Sequence, residues 1–317
     1  MPELPEVETI KRGLANFCLR QKIRCVEINC AKSFIGPSEI VEGKEIAGFR
    51  RFGKALVIDL AGGISLMIHL RMTGQLIYRD FSYHEEKSRR KESSMILESK
   101  SAVSDSGTIY KHSFAGGHPS DSFLDELPNK QTRVVFELTK GTLYFNDQRK
   151  FGFVKVLSTN EVEDDKFIKS LAKEPWEMTA KELFKKLQRH KNAPIKAVIL
   201  DQKIICGLGN IYADEALYDA KIHPRELAGK LTIEDAKRIL FGARKVMEAS
   251  INSGGSTMKT YVKADGTKGD YLQKFAKVFR REGQPCERCG AEIEKIKVVG
   301  RGTHICPNCQ RLGGEDD

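Results

Sequence analysis

The chain opens Met-Pro-Glu-Leu-Pro-Glu, and removal of Met1 would expose its first reactive group, the secondary amine of Pro2. An α-amino group titrates near ~7.7–8.0, against ~10.4 for a lysine side chain, so a substantial fraction is unprotonated and nucleophilic around neutral pH. Glu3 is adjacent and Glu6 lies about one helical turn further on. An amine between carboxylates suits imine chemistry at a sugar C1′: attack displaces the base, and the Schiff base then eases β-elimination of the 3′ phosphate. The same residues equally suit an ordinary helix start, with proline in the first turn and carboxylates at the positive end of the macrodipole. On local residues alone, that is the commoner meaning.

A second constellation lies at the other end. Cys286-x-x-Cys289 and Cys306-x-x-Cys309 are separated by sixteen residues, 290–305. Two such knuckles let four thiolates surround one Zn²⁺ tetrahedrally. The rival pattern, two disulfides, belongs to oxidising compartments. A closed four-cysteine site has no open coordination position, so the expected zinc is structural, ordering a hairpin too small to fold alone. That hairpin carries Lys295, Lys297, Arg301 and His304, with Arg301 between two glycines at an expected exposed tip. Cys18, Cys25, Cys30 and Cys206 have no partners at ligand spacing and read as packing residues.

The intervening elements must position these ends. Val7, Ile10 and Leu14 recur at helical spacing and predict a helix over 3–15. From 22 to 78 short alternating or β-branched runs (IRCVEI, ALVIDL, SLMIHLRM) are broken by Gly53 and Gly62-Gly63, and TRVVFEL, TLYFND and FGFVKVL resume the pattern. The expectation is an α+β multidomain chain. Residues 1–158 form a β-sandwich or barrel behind an N-terminal helix, 159–277 a helical domain, 278–312 a zinc ribbon and 313–317 a tail. Between about 80 and 130 lies a Ser-, Lys-, Glu- and Gly-rich stretch, too long for an ordinary loop. It is expected to be a disordered insertion between strands, or else a basic flap built on Lys87, Arg89, Arg90 and Lys91.

The 53 Lys and Arg against 43 Asp and Glu give a net charge of +10 over 317 residues, which favours a polyanionic partner. No apolar run reaches the roughly 18 residues a membrane span needs, and the acidic N-terminus lacks a secretory pattern. A cytoplasmic protein, associated with the nucleoid when bound to DNA, is expected.

Seven blocks then speak together: MPELPEVETI, FGKALV, HLRMTGQL (69–76), NDQRKFG (146–152), GLGNIYADEALYDAKIHP (207–224), GGSTMKTYV (254–262) and the zinc ribbon with Arg301. In that order they resemble the bacterial formamidopyrimidine-DNA glycosylases of the Fpg/Nei family across nearly the whole chain. The resemblance implies a bifunctional glycosylase and abasic-site lyase that excises oxidised purines from damaged double-stranded DNA, as a monomer, through β,δ-elimination. It makes Pro2 the Schiff-base nucleophile, Glu3 the general acid/base and Glu6 a supporting carboxylate. Lys54 becomes the proton donor or phosphate-binding lysine of β-elimination, and Arg301 is matched to δ-elimination. The damaged base must leave the stack, and the resemblance gives the wedge to three residues. Met72 fills the void, Arg149 pairs with the orphaned base, and Phe151 splits the stack. His69, Lys191, Lys196 and Asn210 become phosphate contacts, Asn210 at the head of a helix-two-turn-helix motif. The segment from Gly254 becomes a loop closing over the everted base.

Three positions depart from the family pattern. Gln131 stands near a usual histidine, Gln148 replaces the proline of DPRRFG, and Lys150 replaces its second arginine, keeping charge but losing bidentate geometry. Two alternatives stay open: an endonuclease VIII-like enzyme for oxidised pyrimidines, which the PELPE start disfavours, and an inactive lesion-binding protein, which retention of Pro2, Glu3, Lys54 and Arg301 together disfavours.

Overall fold

The structure, a computed structural model, describes residues 2–81, 113–117, 127–254 and 274–313. They fall into two compact units. One holds Pro2 and residues 6–164; the other holds residues 3–5 with 165–254 and 274–313. No helix among the described residues is long and apolar enough to cross a membrane.

In the first unit helix α1 (Leu4–Cys18) precedes ten strands: β1 (Ile23–Ile28), β2 (Phe34–Ile35), β3 (Ile46–Phe52), β4 (Ala55–Leu60), β5 (Ile64–His69), β6 (Gly74–Asp80), β7 (Ser113–Gly117), β8 (Thr132–Leu138), β9 (Gly141–Asp147) and β10 (Phe153–Ser158). They form two five-stranded sheets, ordered β1-β8-β9-β6-β7 and β2-β10-β5-β4-β3. Period-two alternation explains the sandwich. Leu66 and Ile68, Leu76 and Tyr78, Val134 and Phe136, and Leu143 and Phe145 share one buried core with Val7, Ile10 and Leu14 of α1. The helix spacing expected for residues 3–15 thus continues to Cys18.

The expectation of an unstructured 80–130 needs correction at 113–117. That segment pairs antiparallel with β6, from Arg79↔Ser113 to Gln75↔Gly117. Phe114 is buried in the core cluster. One large aromatic flanked by small residues is enough to seat a short edge strand, although its Ser- and Gly-rich composition hid it. Lys87, Arg89, Arg90 and Lys91 lie outside the described residues, as does most of the expected closing loop after Gly254.

The second unit contains helices α2 (Lys166–Lys169), α3 (Ala180–Leu187), α4 (Ile195–Leu200), α5 (Asn210–Ala220) and α6 (Ile233–Asn252), then the hairpin β11 (Glu294–Val298) and β12 (Arg301–Ile305). Capping boxes start α3 at Thr179–Glu182 and α6 at Thr232–Asp235, satisfying amides that no preceding turn can serve. Leu183, Ile195, Ile199, Tyr212, Leu217, Ile239 and Ala243 make its core, which also takes Leu4. Leu4 donates its backbone N–H to the Gly207 carbonyl at 3.2 Å.

Candidate active site and DNA-contacting surface

Pro2 is buried, at the start of the chain just ahead of α1. Next to it in sequence, Glu3 is 2% exposed. Its carboxylate lies on the N-terminus of α5, accepting from the backbone N–H of Gly209 at 2.7 Å, Ile211 at 3.0 Å and Tyr212 at 3.5 Å. The first amides of a helix have no partner within it and carry the positive end of its dipole, so they hold and favour a carboxylate. Gly209 makes the approach possible, because a β-carbon there would overlap the Glu3 carboxyl group. Glu6 is also buried, in the first turn of α1.

Lys54 lies in the two-residue turn joining β3 to β4, between the paired residues Phe52 and Ala55. Gly53 supplies the φ of +55° at the first turn position. Lys54 is buried at 6% exposure, not lying along an open strand edge. Arg51 braces this turn: it donates to the Gly53 carbonyl at 3.1 Å and to Glu8 of α1 at 3.0 Å. Glu8 also pairs with Lys11 and Arg12. Sequence reasoning missed this brace, because Glu8 reads as a solvated helix residue until Arg51 arrives from β3.

Burial alone would raise the Glu8 carboxyl, but hydrogen bonds from Lys11, Arg51 and Arg12 outweigh it and hold the group below its ordinary 4.5. A carboxyl held lower in the folded than in the unfolded chain adds stability above 4.5 and loses it as pH falls through its folded value. Glu8→Gln should therefore cost about 2 kcal/mol at pH 7. It should also flatten the acid limb of a melting-temperature profile below about pH 5.

His69, at the end of β5, is pushed down to about 3, first by burial and then by the cations of Arg71 and Lys54. It is neutral at physiological pH. Its Nδ1 accepts the Arg71 backbone N–H at 3.0 Å, so the ring proton sits on Nε2, which is thereby a donor suited to a phosphate oxygen. Met72 follows in the β5–β6 loop, 40% exposed, and Phe151 in the β9–β10 loop, 55% exposed. Arg149 is exposed, with its guanidinium 4.7 Å from the Phe151 ring centre. An exposed thioether and an exposed phenyl do not serve as core residues here. Gln148 and Lys150 share the β9–β10 loop, Lys150 at a φ of +57°. Gln131 is half-buried, and its carbonyl accepts from Asp147 N–H at 2.9 Å.

In the second unit Lys191 is exposed. Lys196 is a correction to the expected surface cation, being 1% exposed. Its ammonium is 2.6 Å from Asp214 and donates to Thr303 Oγ1 at 2.7 Å. The tightly packed α4, with Ile195, Val198 and Ile199 also buried, turns it inward. Asn210, first residue of α5, donates from Nδ2 to the Gly302 carbonyl at 3.0 Å. Asp214 accepts the His304 N–H at 3.0 Å. Lys196, Asn210 and Asp214 thus seat the hairpin whose first β12 residue, Arg301, is exposed. Glu215, the next residue, is fully enclosed and accepts from the amides of Lys277, Val278 and Phe279 at 2.8, 3.0 and 2.8 Å. Neither acid could be singled out from the sequence, because the backbone amides they accept from lie 62 to 90 residues away.

The four ribbon cysteines place their sulfurs within 4.8 Å of one another. Pairs Cys286–Cys309, Cys289–Cys306 and Cys289–Cys309 are 3.9, 3.4 and 3.6 Å apart. Those edges exclude disulfides, whose sulfurs sit about 2.05 Å apart. They match the roughly 3.8 Å edge of a tetrahedron with Zn–S bonds of about 2.3 Å. Backbone N–H groups of Arg288 and Cys309 approach Cys286 and Cys306 sulfurs at 3.4 Å, a setting that favours thiolate. The donor set holds one structural zinc. Metal analysis should return one zinc per chain, and Cys289→Ser should lose it and weaken duplex binding by at least about tenfold.

Comparison with known proteins matches three stretches of the chain. The formamidopyrimidine-DNA glycosylase N-terminal domain profile matches residues 1–154, the formamidopyrimidine-DNA glycosylase H2TH domain 171–262, and the zinc finger found in FPG and IleRS 283–312. The formamidopyrimidine-DNA glycosylase of Pelotomaculum thermopropionicum is 37% identical, the alignment covering 98% of this chain and 100% of that protein. The corresponding protein of Latilactobacillus sakei is 34% identical, with 98% of each covered. Lactococcus lactis Fpg solved with abasic-site DNA superposes with a TM-score of 0.78 at 30% identity, over 98% of this chain and 100% of that one.

Proposed function

This chain belongs to the formamidopyrimidine-DNA glycosylase family and is a DNA glycosylase for oxidised purines; from that premise we propose that it also cleaves the strand at the abasic site it makes, with the Pro2 amine as nucleophile throughout. The observation that supports this reading best is the Glu3 carboxylate, buried beside Pro2 in sequence and fixed by three amides. A carboxylate so held is a preorganised proton carrier next to an amine.

The Pro2 nitrogen bonds to C1′ while the glycosidic bond breaks, and the departing purine takes up a proton. Glu3, with Glu6 as support, then gives a proton to O4′ as the C1′–O4′ bond opens, and the nitrogen lone pair forms the C1′=N double bond. The resulting iminium acidifies C2′, so loss of its proton breaks the C3′–O bond and frees the 3′ phosphate. A second elimination breaks the C5′–O bond. Lys54 serves the first elimination and Arg301 the second. His69, Lys191 and Asn210 hold phosphates, whereas Lys196 acts from within by seating the hairpin. Met72, Arg149 and Phe151 open the duplex and fill the gap. The working parts are taken as residues 1–158, 159–277 and 278–312, acting as a monomer in the cytoplasm and on the nucleoid.

Borohydride reduction during reaction with an 8-oxoguanine duplex should give a covalent adduct that peptide mapping assigns to residue 2. Absence of an adduct, or an adduct elsewhere, overturns the nucleophile. A parallel panel of oxidised pyrimidines detects an endonuclease VIII-like preference.

A further inference from the structure

Asp147, the last residue of β9, is wholly buried, and its carboxylate oxygens are taken up by the two loops on either side of it. Oδ2 accepts the backbone N–H of Phe151 and of Gly152, both at 2.7 Å. Oδ1 accepts the Arg149 N–H at 3.1 Å and a short hydrogen bond from the Thr73 hydroxyl. Thr73 in turn accepts the Arg149 N–H at 3.0 Å. Thr73 follows Met72 directly, and Gly74 pairs with Asp147 across β6 and β9. The Asp147 carbonyl is itself gripped by Arg133 Nε at 2.7 Å.

From this geometry we infer that Asp147 is a positioning residue that couples the Met72 loop to the Arg149–Phe151 loop, with the Thr73 hydroxyl as the bridge, so that the two halves of the wedge enter DNA in one fixed register. This deepens the reading of Met72, Arg149 and Phe151 as the wedge and rests on it. One carboxylate offers four lone-pair sites, and three amides and a hydroxyl fill them. Charge-assisted bonds to backbone amides fix the path of residues 149–152 more tightly than neutral ones would. The β9–β10 loop also turns through Lys150 in the left-handed region, a conformation that needs such bracing. Because the Thr73 oxygen is donor to Asp147 and acceptor from Arg149, displacing either loop breaks bonds in the other.

Three variants separate coupling from general stability. Thr73→Val keeps side-chain shape but removes the bridge, and Thr73→Ser restores the hydroxyl. Asp147→Asn presents an NH₂ group to donors whichever way the amide is turned. Stopped-flow fluorescence of 2-aminopurine beside an 8-oxoguanine reads duplex opening, while borohydride trapping on a ready-made abasic site reads the chemistry with no base to unstack. Thr73→Val and Asp147→Asn should slow the opening phase by about tenfold. Thr73→Ser should stay within about twofold of the parent, and abasic-site trapping should change by less than about twofold in all three. Phe151→Ala serves as reference. If it slows opening while Thr73→Val does not, the coupling is wrong and the wedge stands. If opening and trapping slow together, Asp147 is a general structural residue and the inference fails. If Phe151→Ala opens DNA like the parent, the wedge reading falls, and the coupling with it. Should Asp147→Asn not fold, the two Thr73 variants decide.

Discussion

A chain that retains any residue ahead of Pro2 is expected to lose base excision by at least about 1,000-fold, since an amide nitrogen has no basic lone pair with which to attack C1′. The loss should fall on single-turnover excision and on borohydride trapping alike. Affinity for duplex DNA containing an uncleavable abasic analogue should remain, because Lys191, Asn210 and the ribbon are untouched. An uncleavable N-terminal extension checked by intact mass gives the test. Excision at even a tenth of the parent rate in a fully extended sample would remove Pro2 from the mechanism. Pro2→Gly is a weaker probe, because it leaves a primary amine in the same place.

Gly209→Ala should have the second largest effect, although residue 209 carries no functional group. Its backbone, at φ −126° and ψ −160°, is open to any residue, so the constraint is space alone. The added methyl overlaps the Glu3 carboxyl group, and the carboxylate must leave the α5 amides. General acid–base groups contribute typically 10²–10⁴-fold, so excision should fall by about 100-fold. Because Glu3 is displaced and not removed, the fall should be smaller than that of Glu3→Gln. Retained duplex affinity and a melting temperature close to the parent would assign the loss to the carboxylate. An undiminished rate would show that the Glu3–Gly209 contact is dispensable.

The parts of this molecule that could be read from the sequence are those whose information is local. Zinc-ligand spacing, the hydrophobic alternation of β5, β6, β8 and β9, and the helical periods of α1 and α6 each lie within about twenty residues. What escaped was set by contacts between distant segments. Lys196 looks like any surface lysine in IKAVIL until Asp214 and Thr303 enclose it. Lys54 looks exposed until β3 and β4 close around Gly53. Asp147 reads as one more acid in a basic loop, since nothing in NDQRKFG says that four donors converge on it. The short strand at 113–117 was concealed by flanking composition, and only Phe114, buried in the sandwich, explains why it pairs. Pro2 and Glu3 were the intermediate case. The chemistry of an N-terminal amine was legible, but its likelihood was set by blocks scattered along the chain.

The bond from Gly209 to Glu3 spans 206 residues, and that span sets an order of events during synthesis. At about 5–20 residues per second, roughly 10–40 s separate the appearance of Glu3 from that of its partners on α5. Throughout that interval the start of the chain has no α5 amides to dock on, and Leu4 has no core to enter. Docking of Glu3 and Leu4 is therefore a late, long-range step of folding, although both residues are among the first made.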